Sequence, residues 1–168
     1  MPQAKYQFED FLTTTPQSCH DFVTEIHHQL LKENYKPKIT VTKSTGLQLA
    51  YHQPKIKTVA GIIMIFFMKN ERLILRLYGK NNEHYPDLLD ELPVEIVNQI
   101  DQAPDCVKFA NPDKCWKGCI GYDFHIRGNH YQKCYVSGFQ FEVDGESMPS
   151  LTRLIKSESK ARSLYDIS

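Results

Sequence analysis

Residues 59–78, VAGIIMIFFMKNERLILRLY, decide the fold. Positions 59–68 are apolar on both faces, which is typical of a central strand in a sheet. Lys69 and Asn70 predict a tight turn, and positions 72–78 then predict an antiparallel return strand. The sequence therefore predicts an antiparallel hairpin at the centre of a sheet.

The return strand has two unlike faces, because successive side chains of a strand point to opposite sides. One face is built from leucines, namely Leu73, Leu75 and Leu77. The other face carries Ile74 and three polar residues, Arg72, Arg76 and Tyr78. This polar face is predicted to be either solvated or the wall of a cleft, and its three polar residues are candidate ligand-binding residues.

Helical periodicity occurs on both sides of this hairpin. A helix is predicted over residues 16–34, with Thr15 as its N-cap and Cys19 on its buried apolar stripe. A second helical stretch over residues 85–103 is expected to break at Pro93, whose ring clashes with the preceding turn. These two stretches supply the helical layer of the predicted fold.

The last third of the chain predicts a brief strand at residues 107–109, a hairpin, and a further strand at 139–143 that completes a small meander. Ser147 is predicted to cap a final helix, and residues 157–168 are expected to fray as a polar terminus. The whole pattern predicts a single α+β domain over residues 1–168. Its antiparallel sheet has about five to seven strands, with two or three helices packed on one face.

Composition limits the function classes. The 168 residues include 20 basic and 20 acidic side chains, so no overall field attracts nucleic acid or an anionic membrane. The longest apolar run is about half as long as a membrane-spanning helix, and the first residues lack the pattern of a secretory signal. An odd count of five cysteines without such a signal predicts reduced thiols and a cytoplasmic location.

The richest chemical pattern is a group of cysteines among lysines. Cys115 and Cys119 enclose the sequence Trp-Lys-Gly, Cys106 lies just upstream, and Cys134 follows in the next hairpin. Three lysines lie beside them, namely Lys114, Lys117 and Lys133. Thiols clustered among cations are typical of metal sites or of reactive thiolates.

Gly128 and Asn129 predict a two-residue hairpin turn, since both residues tolerate positive φ. In the resulting register Asp123 pairs with Cys134, which brings Cys134 back towards Cys119. One polar face of the hairpin then presents four side chains together, Asp123, His125, His130 and Cys134. A slip of one residue would exchange the two faces, so this cluster is a prediction about register.

Three readings of the cysteine group stay open. A structural zinc site would use Cys106, Cys115, Cys119 and Cys134, with His125 or His130 able to replace Cys106. A reactive thiol would have its pKa lowered by the lysines, with a histidine as base and Asp123 as its orienting group. In the third reading, the cysteines are reduced packing residues in a tight loop that contains Gly118 and Gly121.

Binding functions compete with these readings. Aromatic residues crowd the same region and basic residues interleave with them, a pattern that can stack single-stranded bases, although the balanced net charge argues against nucleic acid. A small-molecule pocket lined by the aromatics suits an α+β fold better. Trp116 and His125 join Arg72, Arg76 and Tyr78 as its predicted ligand-binding residues.

The signatures of phosphate-binding loops, dinucleotide sites, serine hydrolases and zinc peptidases are absent from the sequence. The leading prediction is therefore a cytoplasmic small-molecule-binding or regulatory domain without clear catalytic machinery. A zinc or reactive-thiol site is the first alternative and single-stranded nucleic-acid binding the second. The sequence leaves open the identity of any ligand and whether the chain forms a homodimer.

Overall fold

The computed structural model describes residues 5–166. Two short segments lie outside the described residues, 1–4 and 167–168. The first belongs to the stretch that lacks the predicted pattern of a secretory signal, and the second ends the predicted frayed tail. The described helices are α1 (Phe8–Leu12), α2 (His20–Lys32), α3 (Pro86–Asp90), α4 (Val94–Asp101), α5 (Val107–Ala110) and α6 (Met148–Tyr165). The described strands are β1 (Lys36–Thr42), β2 (Gly46–His52), β3 (Ile62–Lys69), β4 (Arg72–Leu77), β5 (Tyr122–Ile126), β6 (Asn129–Lys133) and β7 (Phe139–Glu142).

The strands form an antiparallel five-stranded sheet in the order β1-β2-β3-β4-β7 and a separate two-stranded sheet of β5 and β6. The predicted α+β class with five to seven antiparallel strands is confirmed. The predicted meander is wrong, because β7 joins β4 rather than β6, and just beyond it the Val143 amide donates to the Leu73 carbonyl at 2.9 Å. Three of the six described helices, α1, α3 and α5, have five residues or fewer. The predicted two or three helices correspond to the three longer ones, α2, α4 and α6.

The chain forms two compact units. The first unit contains the residues up to Arg76 together with Glu142–Met148. The second unit contains Leu77–Phe141 and the residues from Pro149 onward. The chain passes between the units at three places, inside β4, inside β7 and at the start of α6, and the single-domain organisation stays a prediction.

Helix α2 supplies much of the core of the first unit. Its apolar stripe is buried as predicted, and Phe22 packs edge-on against Phe66 of β3 with ring centroids 6.2 Å apart. Cys19 is a core residue, 2% exposed, and its thiol points at the Val143 carbonyl, 3.6 Å away. Thr15 does not cap this helix, because its hydroxyl donates to the Leu12 carbonyl instead.

In β4 the predicted alternation is confirmed for the leucine face, which is buried throughout, at Leu73, Leu75 and Leu77. The strand ends at Leu77, so Tyr78 does not belong to the polar face and is itself buried. The Tyr78 carbonyl accepts a hydrogen bond from Arg162 of the same unit. The placement of Tyr78 on a solvated face is therefore wrong.

Helix α6 is the largest departure from the sequence prediction in the second unit. It was expected to fray from Ser157, yet it continues to Tyr165 and buries four residues of its second half, Glu158, Ser159, Ala161 and Arg162. The break of the middle helix at Pro93 is confirmed, with α3 before it and α4 after it. The segment predicted as a strand at 107–109 is instead α5. In the described part of the chain, none of the helices is long and apolar enough to cross a membrane.

Candidate functional site

Three of the four cysteines singled out as zinc ligands lie together in the second unit. The Cys119 and Cys106 side chains are near enough to Cys115 to raise the pKa of its thiol. Cys106 and Cys119 are buried, whereas Cys115 is partly accessible. Cys106 therefore joins the loop, which the sequence alone left open.

Gly121 explains how the loop can close over Cys106. Its φ is +65°, and a Cβ at this position would lie 2.6 Å from the Phe109 ring and 3.2 Å from the Cys106 sulfur. Glycine is the residue that accepts both a positive φ and so close an approach. The loop is held further by Lys108, whose ammonium group donates to the Cys119 carbonyl.

Cys134 lies next to the Cys106 backbone but has its own set of partners. The Cys106 amide donates to Gln132 at 3.0 Å and the Cys134 amide donates to Pro104 at 2.8 Å, so the two segments run side by side. Within residues 5–166, no group of three or more histidine, cysteine, aspartate or glutamate side chains is arranged to hold a metal ion. The four sulfurs do not form a ligand group in this structure, and zinc binding stays a prediction.

The lysines do not activate the thiols in the predicted way. Burial, the neighbouring Cys119 thiol and Cys106 raise the pKa of Cys115 above its ordinary value. The ammonium group of Lys133 is itself buried and donates to the Asp101 and Ala103 carbonyls at 2.8 and 3.0 Å. The Lys133 ammonium group therefore binds carbonyls at the end of α4 rather than a thiolate.

Cys134 differs from Cys115 in that its pKa is lowered. Burial opposes the lowering, but the amide and hydroxyl of Ser137 and the amide of Val136 donate to the sulfur, and together they bring the pKa below its ordinary value. Hydrogen bonds to a thiolate favour the charged form. Neighbouring backbone, rather than a lysine, therefore makes Cys134 the more readily ionised thiol.

The β5–β6 hairpin has a register different from the one predicted. Ile126 pairs with Asn129, so the turn is Arg127-Gly128, with φ of +50° and +79°, rather than Gly128-Asn129. The Arg127 amide donates to the Asp90 carboxylate at 2.6 Å, and its guanidinium donates to the Asp90 and Leu92 carbonyls at 3.0 and 2.6 Å. These contacts from the end of α3 hold an arginine in a conformation that favours glycine.

The shifted register keeps most of the predicted polar face. His130 hydrogen-bonds to Asp123 at 2.6 Å, Gln132 donates to the same carboxylate at 3.0 Å, and the His125 ring stacks on His130 with centroids 4.6 Å apart. Cys134 is not part of this face, because β6 ends at Lys133 and Asp123 pairs with Gln132. These hydrogen bonds, from Gln132 first and then His130, lower the pKa of Asp123.

The predicted ligand-binding residues are divided between the two units. Arg72 pairs with Glu142 at 2.8 Å on an exposed surface of the first unit, and the Arg76 guanidinium lies 5.2 Å from the centre of the Phe67 ring. In the second unit Trp116 is 59% exposed. His125 is also exposed there, whereas Tyr78 is buried.

The aromatic crowding that suggested base stacking is mostly core. Five of the aromatic residues in this region are buried, namely Tyr122, Phe124, Tyr135, Phe139 and Phe141. The cavity bordered by Phe124, Phe139 and Phe141 measures about 10 Å³. A cavity of that size holds about one water molecule. This cavity is too small for an organic ligand, and a small-molecule pocket at the hairpin stays a prediction.

The second unit contains a buried polar network that the sequence patterns do not predict. Arg162 donates to Glu158 at 2.9 Å and to the Tyr78 carbonyl at 2.9 Å, and both members of the ion pair have side chains that are 0% exposed. The Tyr85 hydroxyl donates to Glu158 at 2.7 Å, and the Asn81 amide donates at 3.2 Å. The i,i+4 spacing of Glu158 and Arg162 was the available signal.

Two tyrosine hydroxyls border this network without completing it. Tyr122 and Tyr135 are buried, and among the described residues neither hydroxyl has a hydrogen-bond partner. Burial raises the pKa of both phenols, and Glu158 raises it further while Arg162 opposes the rise. The cavity described beside the network has room for about one water molecule.

The first unit has a cleft of ligand size. Its volume is about 720 Å³, and it lies where the segment at α1 faces α2, β1 and β2. The lining residues are Lys5, Tyr6, Gln7, Phe8, Glu9, His27, Leu31, Pro37, Lys38, Ile39 and Leu49. Pockets for small molecules typically measure about 300–1,000 Å³ and combine apolar walls with a few polar groups. No residue of this cleft was named as a site residue from the sequence.

The inner wall of the cleft is well ordered by its contacts. The His27 ring stacks on Phe8 with centroids 3.8 Å apart and hydrogen-bonds through Nδ1 to the Tyr51 hydroxyl at 2.9 Å. Burial and then the neighbouring His28 lower the pKa of His27, while Glu9 opposes this, so His27 is neutral at pH 7. The cationic groups of the cleft are therefore the lysines.

Comparison of the chain with protein-family models, with curated proteins and with solved structures found no match.

Proposed function

We propose that this protein is a binding domain for a small organic anion that carries an aromatic or aliphatic body. The observation that supports the proposal is the cleft of about 720 Å³ in the first unit. The proposal keeps the function class predicted from the sequence and moves the site from the cysteine hairpin to this cleft.

The chemistry of the walls supports this ligand class. Leu31, Ile39 and Leu49 offer apolar surface, and burial of apolar ligand area contributes about 25 cal/mol per Å². Tyr6, which is 43% exposed, and Phe8 add aromatic surface to the lining. A ligand with a planar or aliphatic body would therefore bury its apolar part against this wall.

The charge of the rim supports an anion. Lys5 and Lys38 line the cleft against a single lining acid, Glu9. A carboxylate or sulfonate at the rim would meet two ammonium groups and one carboxylate.

The test uses anilinonaphthalene sulfonate, an aromatic anion whose fluorescence rises in an apolar site. Lys38→Glu reverses one rim charge and is expected to weaken binding by about fivefold, which corresponds to about 1 kcal/mol. Tyr6→Ala removes an aromatic wall and is expected to weaken binding as well. Lys69→Glu is the matched control, because Lys69 is an exposed strand-end lysine of the same unit that does not line the cleft.

The proposal predicts that Lys69→Glu binds the probe like the wild type while the two cleft variants do not. Equal binding by all three variants, at unchanged circular dichroism, would rule out the cleft as the site. Salt should weaken binding to the wild type more than binding to Lys38→Glu, since the charge removed is the one that salt screens.

A further inference from the structure

The outer edge of the five-stranded sheet lies beside the cleft. Strand β1 is the first strand in the order of the sheet, and β2 is its one neighbour in the described part of the chain. Within residues 5–166, the backbone of residues 36–42 makes no hydrogen bond to other backbone groups besides those of the β1–β2 ladder. The outer side of β1 therefore carries backbone groups with which a further strand can pair.

The cleft reaches this edge, because three consecutive residues of β1 line it, namely Pro37, Lys38 and Ile39. Ile39 pairs with Leu49, which is buried, and Pro37 lies on the same face of the sheet, two residues away. Lys38, between them, points to the opposite face. A cleft lined by all three residues therefore passes round the edge of β1 rather than along one face of the sheet.

Pro37 indicates which backbone groups of β1 point outward. It has no N–H to donate, and a proline within a sheet is placed with its nitrogen towards the unpaired edge. Alternate residues of an antiparallel strand bond to the same neighbour, so Ile39 and Val41 share the outward direction of Pro37. The N–H groups of Ile39 and Val41 and the carbonyls of all three residues are thus available to an added strand.

The side chains along this edge indicate the chemistry of such a strand. Lys36 and Lys38 are exposed and share one face, because they are two residues apart. Carboxylates beside them on an added strand would form opposite-charge cross-strand pairs, which are stabilising. On the other face, Ile39 belongs to the apolar lining of the cleft. A strand that alternates acidic and apolar residues would therefore match both faces.

We propose that the anion bound by the cleft is an extended acidic segment of a partner protein, which adds to β1 as a further strand. Its carboxylates lie beside Lys36 and Lys38, and its apolar side chains enter the cleft against Ile39. This inference rests on the proposed anion-binding function and names the ligand of that cleft as a peptide. A second copy of the chain matches the edge less well, because it would bring its own lysines to the same place.

The probe is a blocked hexapeptide, acetyl-Glu-Val-Glu-Ile-Glu-Val-amide, whose negative charges come from side chains alone. The control peptide, acetyl-Glu-Glu-Glu-Val-Ile-Val-amide, has the same composition without the alternation. Calorimetric titration of the full chain measures both affinities without a fluorescent label. We expect the alternating peptide to bind about fivefold more tightly than the control, since it alone places acids on one face and apolar residues on the other.

Methylation of the peptide amides separates strand pairing from binding by side chains. Alternate amides of a strand face the same neighbour, so one alternating peptide is methylated at its glutamate amides and another at its valine and isoleucine amides. One of the two should bind about fivefold more weakly, or worse, because the amides that face β1 lose their hydrogen bonds. The other should bind like the unmodified peptide. Equal effects of the two methylations would overturn strand addition.

A variant of the edge gives the matching test on the protein. Val41→Pro removes one outward N–H, retains the ladder to β2, and should weaken binding of the alternating peptide about fivefold. Val41→Thr keeps the N–H and is the control. Because Val41 does not line the cleft, both variants should bind anilinonaphthalene sulfonate like the wild type. In the wild type, bound peptide should slow hydrogen exchange at the Ile39 and Val41 amides.

The outcomes distinguish this inference from the proposed function. Binding of anilinonaphthalene sulfonate without binding of the alternating peptide would overturn strand addition and leave the cleft as a site for small anions. Binding of neither would overturn both proposals. Slow exchange at the Ile39 and Val41 amides without peptide, together with a dimer in sedimentation, would overturn the acidic partner in favour of a second copy of the chain.

Discussion

Two polar clusters of the second unit combine an acid with a base, but water reaches only one of them. The Glu158–Arg162 pair has both side chains 0% exposed, and its carboxylate also accepts hydrogen bonds from Tyr85 and the Asn81 amide. The Asp123–His130 pair is shorter, at 2.6 Å, yet its side chains are 47% and 48% exposed. The distance between the charged atoms therefore does not rank the two clusters, and their surroundings do.

The difference shows which charged residues are expected to stabilise the second unit. A buried charge without its partner carries a desolvation penalty that a surface charge escapes, so Glu158 and Arg162 are expected to hold the second unit together. Asp123 and His130 are accessible and contribute little to stability, since exposed ion pairs are typically worth below about 1 kcal/mol. Substitutions at the buried pair, at the tyrosines around it, at the hairpin turn and at the exposed pair test this contrast.

The largest effect is expected at the buried pair. Arg162→Met leaves Glu158 buried without its counter-ion and should lower the free energy of unfolding by about 3–5 kcal/mol. Arg153→Met is the matched control on the same helix, because Arg153 pairs with Glu91 at 2.6 Å while both side chains are more than half exposed. It should cost less than about 1 kcal/mol in the same urea titration.

The double variant Glu158→Leu with Arg162→Met sharpens the comparison. Removal of both charges leaves no uncompensated ion, so it should be less destabilising than Arg162→Met alone. A single variant that unfolds no more readily than Arg153→Met would remove the distinction between the two clusters.

The second effect concerns tyrosine hydroxyls around the same pair. Tyr85→Phe removes a 2.7 Å hydrogen bond to Glu158 and should cost about 1.5–3 kcal/mol, as is usual for bonds to charged groups. Tyr122→Phe removes a buried hydroxyl that has no partner among the described residues, and it should be neutral or slightly stabilising. Chemical denaturation of both variants measures the difference. Equal losses would show that the Tyr122 hydroxyl has a partner, such as an internal water molecule.

These clusters also explain what the sequence could predict. Residues whose environment follows from local periodicity were placed correctly, as with Leu73, Leu75 and Leu77 in β4 and Cys19 beside α2. Hydropathy predicts a frayed terminus at the polar end of α6, because it cannot show that Glu158 and Arg162 form a hydrogen-bonded ion pair inside the unit. The prediction of a polar face of Asp123, His125 and His130 survives because the pairing is shifted by two residues, which leaves the same side chains on each face.

Features that depend on distant parts of the chain were misplaced. The hairpin turn moved by one residue because Arg127 is held at positive φ by Asp90, 37 positions away. The cleft was missed because its lining comes from α1, α2, β1 and β2, which no single sequence pattern joins. The lowered pKa of Cys134 comes from Ser137 rather than from the lysines that the sequence made conspicuous.

The third effect is expected at the hairpin turn. It should be smaller than the effects at the buried pair and larger than the effect at the exposed pair. Arg127→Gly loses the guanidinium bonds to Asp90 and Leu92 but relieves the positive φ, whereas Arg127→Ala loses the bonds and keeps the strain. Alanine should therefore be less stable than glycine by about 1 kcal/mol. Urea unfolding of the two variants isolates this backbone contribution. If alanine were the more stable variant, the turn would not adopt this φ in solution.

The smallest effect belongs to the exposed pair and depends on pH. Hydrogen bonds from Gln132 and His130 lower the pKa of Asp123 in the folded state, so the carboxylate stabilises the fold above the pKa of the unfolded chain, about 3.9. This contribution is lost as the pH falls through the folded pKa. Because the side chain is about half exposed, screening limits it to about 0.5 kcal/mol.

Asp123→Asn should therefore unfold slightly more readily than the wild type at pH 7, and the difference should shrink below about pH 4. Asp113→Asn, at another exposed acid of the same unit, is the control for a general effect of charge. Added salt should reduce the difference at pH 7, since water and ions reach this carboxylate. A loss as large as that of Tyr85→Phe would mean that the hairpin face is more enclosed than its exposure indicates, and the contrast with Glu158 would no longer hold.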